Sequence, residues 1–202
     1  MQNNSYLSTC LIEKLNIFIL DPENNNEIAY SIQLTLVDEI IKIETLIKSN
    51  RKIINNNKLI TKDKNTPMEI RRTISMETKH LRDIERHLKE ALKQLRNIGD
   101  TLAFSYFKKY NLKPLCTKQS AGFISGKKGL KKELDELRKI FLKGKFAILN
   151  DLTNSLRYGD ITTMLDGKPY ILEIKSSNIK NARIYRQIRG IEENIKLIQK
   201  QQ

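Results

Sequence analysis

The chain has no tryptophan, two histidines, two cysteines and four prolines in 202 residues. Cys10 and Cys116 stand far apart and outside any CxxC or Cys/His spacing, which excludes a disulfide framework and a zinc finger. Histidine chemistry is also thin. Glu77 and His80 form an ExxH pair, but a di-iron bundle needs two such pairs converging from several helices, and His87 is the only other histidine. Both imidazoles are expected in solvent. There is no run of about 18 apolar residues, and the opening MQNNSYLSTC has no basic stretch leading into an apolar one. Neither a membrane span nor secretion is expected, and the reducing cytoplasm is the expected compartment.

Acidic residues are in deficit as well, 23 against 37 Lys and Arg, for a formal charge of +14. The imbalance is local: residues 1–107 hold 16 basic and 14 acidic side chains, residues 108–202 hold 21 and 9. So +12 of the +14 lies in the second half, the footprint of a protein that binds a phosphate backbone. A solvated basic face is the bland alternative. The 39% hydrophobic content is enough for a core without staples.

Two helical stretches dominate the first half. Ile40, Ile41, Ile43, Leu46 and Ile47 fall in an apolar-periodic segment from Ile28 to about Ile54, and Asn55–Asn57 reads as the turn that ends it. After Pro67, the residues Ile74, Leu81, Ile84, Leu88, Ala91, Leu95, Ile98 and Leu102 recur at steps of three and four. Such a stripe packs on neighbouring helices or on a second copy of the chain, and residues 1–111 are read as a helical scaffold or oligomerisation region.

Pro114, Gly122, Gly126 and Gly129, mixed with Lys118, Lys127 and Lys128, break the pattern and mark a boundary. Residues 112–202 form the second expected domain. A helix over GLKKELDELRKIFLKG stops at Gly144, strands follow in KFAILNDL, GDITTML and YILEIKS, and a helix over residues 178–200 closes the chain. On that last helix Arg183, Arg186, Gln187 and Arg189 lie away from the isoleucine stripe, on a side that can face a ligand or simply solvent.

Asp166-Gly167 is the strongest short signal for a two-residue type I′ turn. With that loop, opposed residue numbers sum to 333, and Asp160 faces Glu173 while Lys175 shares their side of the sheet. Ile161, Leu165, Leu172 and Ile174 take the other side, toward the core. Two like charges directly opposed are destabilising unless a cation or proton intervenes. Asp160, Glu173 and the Ile174 carbonyl would then make a hard, oxygen-rich site for Mg²⁺ or Mn²⁺. A four-residue loop would move the sum to 335 and set Asp160 against Lys175, an ordinary ion pair. Ser176 and Ser177 open the last helix, either as a phosphate cradle or as helix caps.

Asp160, thirteen positions, then Glu173-Ile174-Lys175 resembles the D…(D/E)xK signature of the PD-(D/E)XK nuclease superfamily, with Gly159 in place of the usual proline. Glu133 in a helix and Gly144 at its end extend the similarity to the resolvase-like branch, and Gln187 to the RecB-like branch, although Ile191 stands where that branch has tyrosine. The similarity covers roughly residues 126–200. It implies an α/β, restriction-endonuclease-like core, a mixed sheet flanked by helices, behind an N-terminal all-α region. It further implies hydrolysis of phosphodiester bonds, in DNA ahead of RNA, in defence against foreign DNA or in repair. Asp160 and Glu173 would hold Mg²⁺ or Mn²⁺, Glu133 would add a ligand, and Lys175 would steer the attacking water and stabilise developing charge. Ser176, Ser177, Arg183, Arg186, Gln187 and Lys128 would touch the nucleic acid. The competing readings are a binding protein that keeps the fold without catalysis, and a helical adaptor.

Overall fold

Asn55–Asn57 does not end a helix. The structure, a computed structural model, describes residues 2–107, 112, 122–156 and 158–174, and in it the helix expected to stop there runs on to Lys62. The chain order is α1 (Gln2–Leu20), α2 (Asn26–Lys62), α3 (Met68–Tyr106), α4 (Leu130–Leu142), β1 (Ala147–Leu149), a 3₁₀ turn (Asn150–Leu152), β2 (Ile161–Leu165) and β3 (Lys168–Leu172). Asn57 stays helical because its amide finds partners across the interface instead of in its own backbone. It donates to Glu77 Oε2 at 3.1 Å and to Thr78 Oγ1 at 3.2 Å on α3.

Ile32, Leu36, Ile40, Ile47 and Ile54 bury one side of α2, the stripe that drives an amphipathic helix onto its neighbours. Three polar residues interrupt that stripe, and each one docks a different part of the molecule. Gln33 acts on the sheet: its Nε2 donates to Ala147 O at 2.8 Å and its Oε1 accepts the Leu149 N–H at 2.9 Å. A side-chain amide thereby covers the edge of β1, which would otherwise leave backbone groups unpaired. Glu44 binds α3 and the loop before α4, and Asn57 binds the far end of α3.

α3 packs against α2 within the same chain, with Leu92, Gly99, Leu102 and Ala103 buried. The residues of the expected stripe from Ile74 to Ile98 sit at the rim, half-buried. Phe146 joins the two halves of the sequence. Its ring stacks on Tyr106 at a centroid distance of 4.1 Å and meets Phe18, Phe107 and Phe141. One continuous core therefore runs from Leu11 through α2 and α3 to Ile171.

The protein is mixed α/β. Its three described strands are all antiparallel in the order β1-β2-β3, whereas a mixed sheet was expected. β2 and β3 are joined by so short a turn that no parallel crossover is possible between them. Asp166 and Gly167 both have positive φ, 49° and 75°, as a type I′ turn requires. The pairs run from Leu165↔Lys168 to Ile161↔Leu172, so the register sums to 333 and the four-residue loop is excluded. Burial differs from the simple two-faced expectation. Leu165 is exposed beside the turn, while Thr162 and Thr163 are buried with Ile161.

Gly144 ends α4 at φ 70°, with its N–H on Phe141 O, a left-handed cap that suits glycine. Among the described residues no helix is long and apolar enough to cross a membrane. Cys10 is free and exposed. His80 and His87 are exposed, as expected.

Candidate carboxylate site

Glu133 lies in the first turn of α4 and is buried, with a side chain only 2% exposed. It can fold back there because residue 129 is glycine: a β-carbon at Gly129 would come within 2.9 Å of Glu133 Oε1. The preceding turn is tight, with Gly126 at φ 84° and the Lys127 N–H on Ile124 O at 3.0 Å. It delivers the Lys127 side chain to the same place.

Asp151 arrives from the 3₁₀ turn after β1. That turn is pressed against α3, where a β-carbon at Gly99 would overlap the Leu152 carbonyl. Arg96 Nε donates to Asp151 O at 3.3 Å, and Asp100 accepts the Asn154 and Ser155 N–H groups, each at 3.1 Å. The side chain of Asp151 is thus aimed by the helical half of the chain.

Asp160 stands just before β2. Its backbone departs from the hairpin ladder, because its N–H bonds the carbonyl of Leu172, the partner of Ile161, at 2.8 Å. Gly159 permits the step. Its φ is 65°, and a β-carbon there would overlap Ile171 and come within 2.9 Å of Leu172 O. Proline, fixed near −65°, cannot adopt this conformation. Asp160 Oδ2 then accepts the Ile174 N–H at 2.7 Å, so the carboxylate is oriented by the backbone of the strand that follows the hairpin.

The three carboxylates converge on one ammonium. Lys127 Nζ lies 2.8 Å from Glu133 Oε1, 2.8 Å from Asp151 Oδ2 and 3.1 Å from Asp160 Oδ1. Three N–H donors serve three acids, yet the formal balance remains three negative charges to one positive. Burial opposes the Lys127 charge, but Asp151, then Glu133 and Asp160, outweigh it and hold its pKa above the ordinary lysine value. Burial, aided by Asp160 and Asp151, holds the Glu133 carboxyl above the usual carboxylate range even though Lys127 pulls it down. The cluster is partly open, Lys127 and Asp151 being 29% and 30% exposed.

Among the described residues no group of three or more His, Cys, Asp or Glu side chains is arranged to hold a metal ion. The acids close around the lysine instead. No family model, no curated protein and no solved structure matches the chain. What the site does must therefore be argued from its own chemistry.

Of the residues singled out in the sequence, Glu133 and Asp160 meet at Lys127. Ile174 takes part through its N–H, not its carbonyl. Glu173 directly precedes it, with Oε2 buried. Lys128 is exposed beside Lys127. Lys175, Ser176, Ser177, Arg183, Arg186 and Gln187 lie outside the described residues. Sequence reasoning missed Asp151 and the central position of Lys127. The available signal for Asp151 was an acid at the end of the first strand, where a turn presents side chains at the edge of the sheet.

Proposed function

We propose that this chain is a metal-dependent nuclease of the restriction-endonuclease-like type, cutting phosphodiester bonds in DNA ahead of RNA. The observation that carries the reading is the meeting of Glu133, from a helix, and Asp160, from the edge of a strand, at a single cation with Asp151 as a third acid. A partly open cluster with an unbalanced double negative charge and only oxygen donors suits a hard divalent ion such as Mg²⁺ or Mn²⁺. Asp160, Glu133 and Asp151 would hold it, with Glu173 adjacent. When bound, such an ion polarises a phosphate and lowers the pKa of a water.

The chain's own residues do the rest. The Ile174 N–H keeps Asp160 turned toward the cluster, and the Arg96 contact keeps Asp151 there. Lys127 neutralises part of the acid charge and would compete with a divalent ion for the same oxygens. Lys175 keeps the role the family resemblance implies, steering water and stabilising charge on the phosphate.

Lys127 also favours a second reading. A lysine bonded to all three acids satisfies the cluster internally, as in a binding or assembly protein that retains the arrangement without catalysis. Incubation with supercoiled, linear, branched and single-stranded DNA, and with RNA, separates the two. The nuclease cuts at least one polymer in Mg²⁺ or Mn²⁺ and none in EDTA, whereas the binding protein retards nucleic acid and cuts nothing in any metal.

A further inference from the structure

A second charged feature lies far from the carboxylates, at the distal end of the α2–α3 hairpin. Along the helical half the charge is polarised: residues 1–50 hold 3 basic and 7 acidic side chains, residues 51–107 hold 13 and 7. Four of those basic side chains line a cleft of about 500 Å³ between the two helices. Lys58 and Thr61 of α2 line it opposite Arg71, Ser75, Lys79 and Arg82 of α3, and no acid does. Arg71, Ser75, Thr78 and Arg82 fall at i, i+4, i+7 and i+11, one side of the helix. Polar side chains thus take the seam where apolar ones would zip two helices together.

The cleft is built, not incidental. Arg71 donates to Thr66 O and Lys64 O, each at 2.7 Å, which pins the loop between the helices. Asn57 and Thr78, both more than nine-tenths buried, bond to each other beneath it, and Asn57 also holds Glu77. Lys58, Lys79 and Arg82 are exposed and form no ion pair among the described residues. Three unpaired cations and a row of hydroxyls, with no acid in the lining and the nearby Glu77 carboxylate held by Asn57, suit a phosphate diester, which offers charge and several acceptors.

Position narrows the source. Glu44 of α2 accepts the Ser125 N–H in the turn that carries Lys127, so it marks the level of the carboxylate site on the helix. Lys58 and Thr61 lie 14 to 17 residues beyond it, roughly 20 to 25 Å at 1.5 Å per residue. At 3.4 Å per base pair this is about seven base pairs of duplex.

We propose that the cleft is a phosphate-backbone contact for the same nucleic acid that the carboxylate site engages, so that the helical hairpin acts as an arm along the duplex. The inference rests on the nucleic-acid reading above and extends it to residues 58–82. The test is binding in EDTA, where nothing is cut, of a duplex of about 20 base pairs across a range of salt concentrations. Lys58→Ala/Lys79→Ala/Arg82→Ala removes three exposed side chains and is expected to fold normally by circular dichroism. It should weaken binding about ten-fold or more and lower the salt slope by about 2 to 3. Lys143→Ala/Lys145→Ala/Lys168→Ala, with equal charge loss at exposed positions near the sheet, should change both far less.

An equal effect from the two variants overturns the arm, because it would reduce the cleft to general charge. Unchanged DNA binding overturns it too. So does selective loss of binding to vesicles of phosphatidylcholine and phosphatidylglycerol, or of pyrophosphate binding, with DNA binding intact. The outcomes are separable from those of the nuclease reading. A protein that cuts nothing yet loses DNA affinity in the triple variant keeps its arm, and one that cuts while the variant binds as wild type does not.

Discussion

Glu44 and Arg96 form a buried pair between α2 and α3, with Arg96 Nη2 3.1 Å from Glu44 Oε1 and side chains 7% and 0% exposed. Each also reaches the candidate site. Glu44 Oε2 takes the Ser125 N–H at 2.7 Å, and Arg96 donates to Gly122 O at 3.0 Å and to Asp151 O. Burial holds the Arg96 pKa below the ordinary arginine value against the upward pull of Glu44 and Asp151.

Removing one member leaves the other charge buried and alone. Arg96→Leu is expected to cost about 3 to 5 kcal/mol in urea unfolding, and Glu44→Gln less, since its one amide oxygen can still accept from Arg96 or from the Ser125 N–H. Hydrogen exchange at the Ser125 amide should accelerate in both variants. Stability within error of wild type for Arg96→Leu would refute the coupling.

Lys127→Ala removes the one cation from three acids. In EDTA the variant should melt below wild type, and Mn²⁺ should bind about ten-fold tighter or better, a difference of about 1.4 kcal/mol. Titration calorimetry reads the affinity and a melt with Mn²⁺ reads the rescue. Weaker Mn²⁺ binding in the variant would show that the lysine supports the cation site and does not compete for it.

Glu133 sets the pH dependence of that binding. Its carboxyl titrates above the ordinary range, chiefly through burial, and a divalent ion needs it deprotonated. As pH falls, Mn²⁺ affinity should begin to drop above the usual glutamate value of about 4.3. Glu133→Gln should show weaker binding overall and a lower-lying acid limb.

At Gly159 a side chain is excluded both by the positive φ and by Ile171 and Leu172. Gly159→Ala should cost at least about 1 to 3 kcal/mol, and Gly159→Pro more, because its ring fixes φ near −65°. Denaturant midpoints check both. A stabilised Gly159→Pro would mean that the step before β2 is not required.

Where a residue's own backbone demanded a conformation, the sequence was readable. Asp166-Gly167 announced a turn with two positive φ values, and that turn fixed the hairpin register at 333. Gly144 announced the end of α4. Glu133 and Asp160, singled out through spacing and a family resemblance, meet at Lys127. Asp151 was not singled out, because its position depends on α3: the close approach at Gly99 and the bond from Arg96 turn the end of β1 into a 3₁₀ turn. Lys127 was hidden for the same reason, since a lysine between glycines reads as loop until α4 and two strand ends surround it. Asn57 misled because its partners, Glu77 and Thr78, lie about twenty residues away on another helix.

The most direct test is nicking of supercoiled DNA by wild type and by Asp160→Asn, a change that preserves size and removes one of the three negative charges that meet at Lys127. The account predicts relaxed and linear products from wild type with Mn²⁺, none with EDTA, and loss of cutting in Asp160→Asn while DNA retardation persists. Cutting by Asp160→Asn at the wild-type rate, or no cutting by wild type in Mg²⁺ or Mn²⁺ on any nucleic acid, would contradict it.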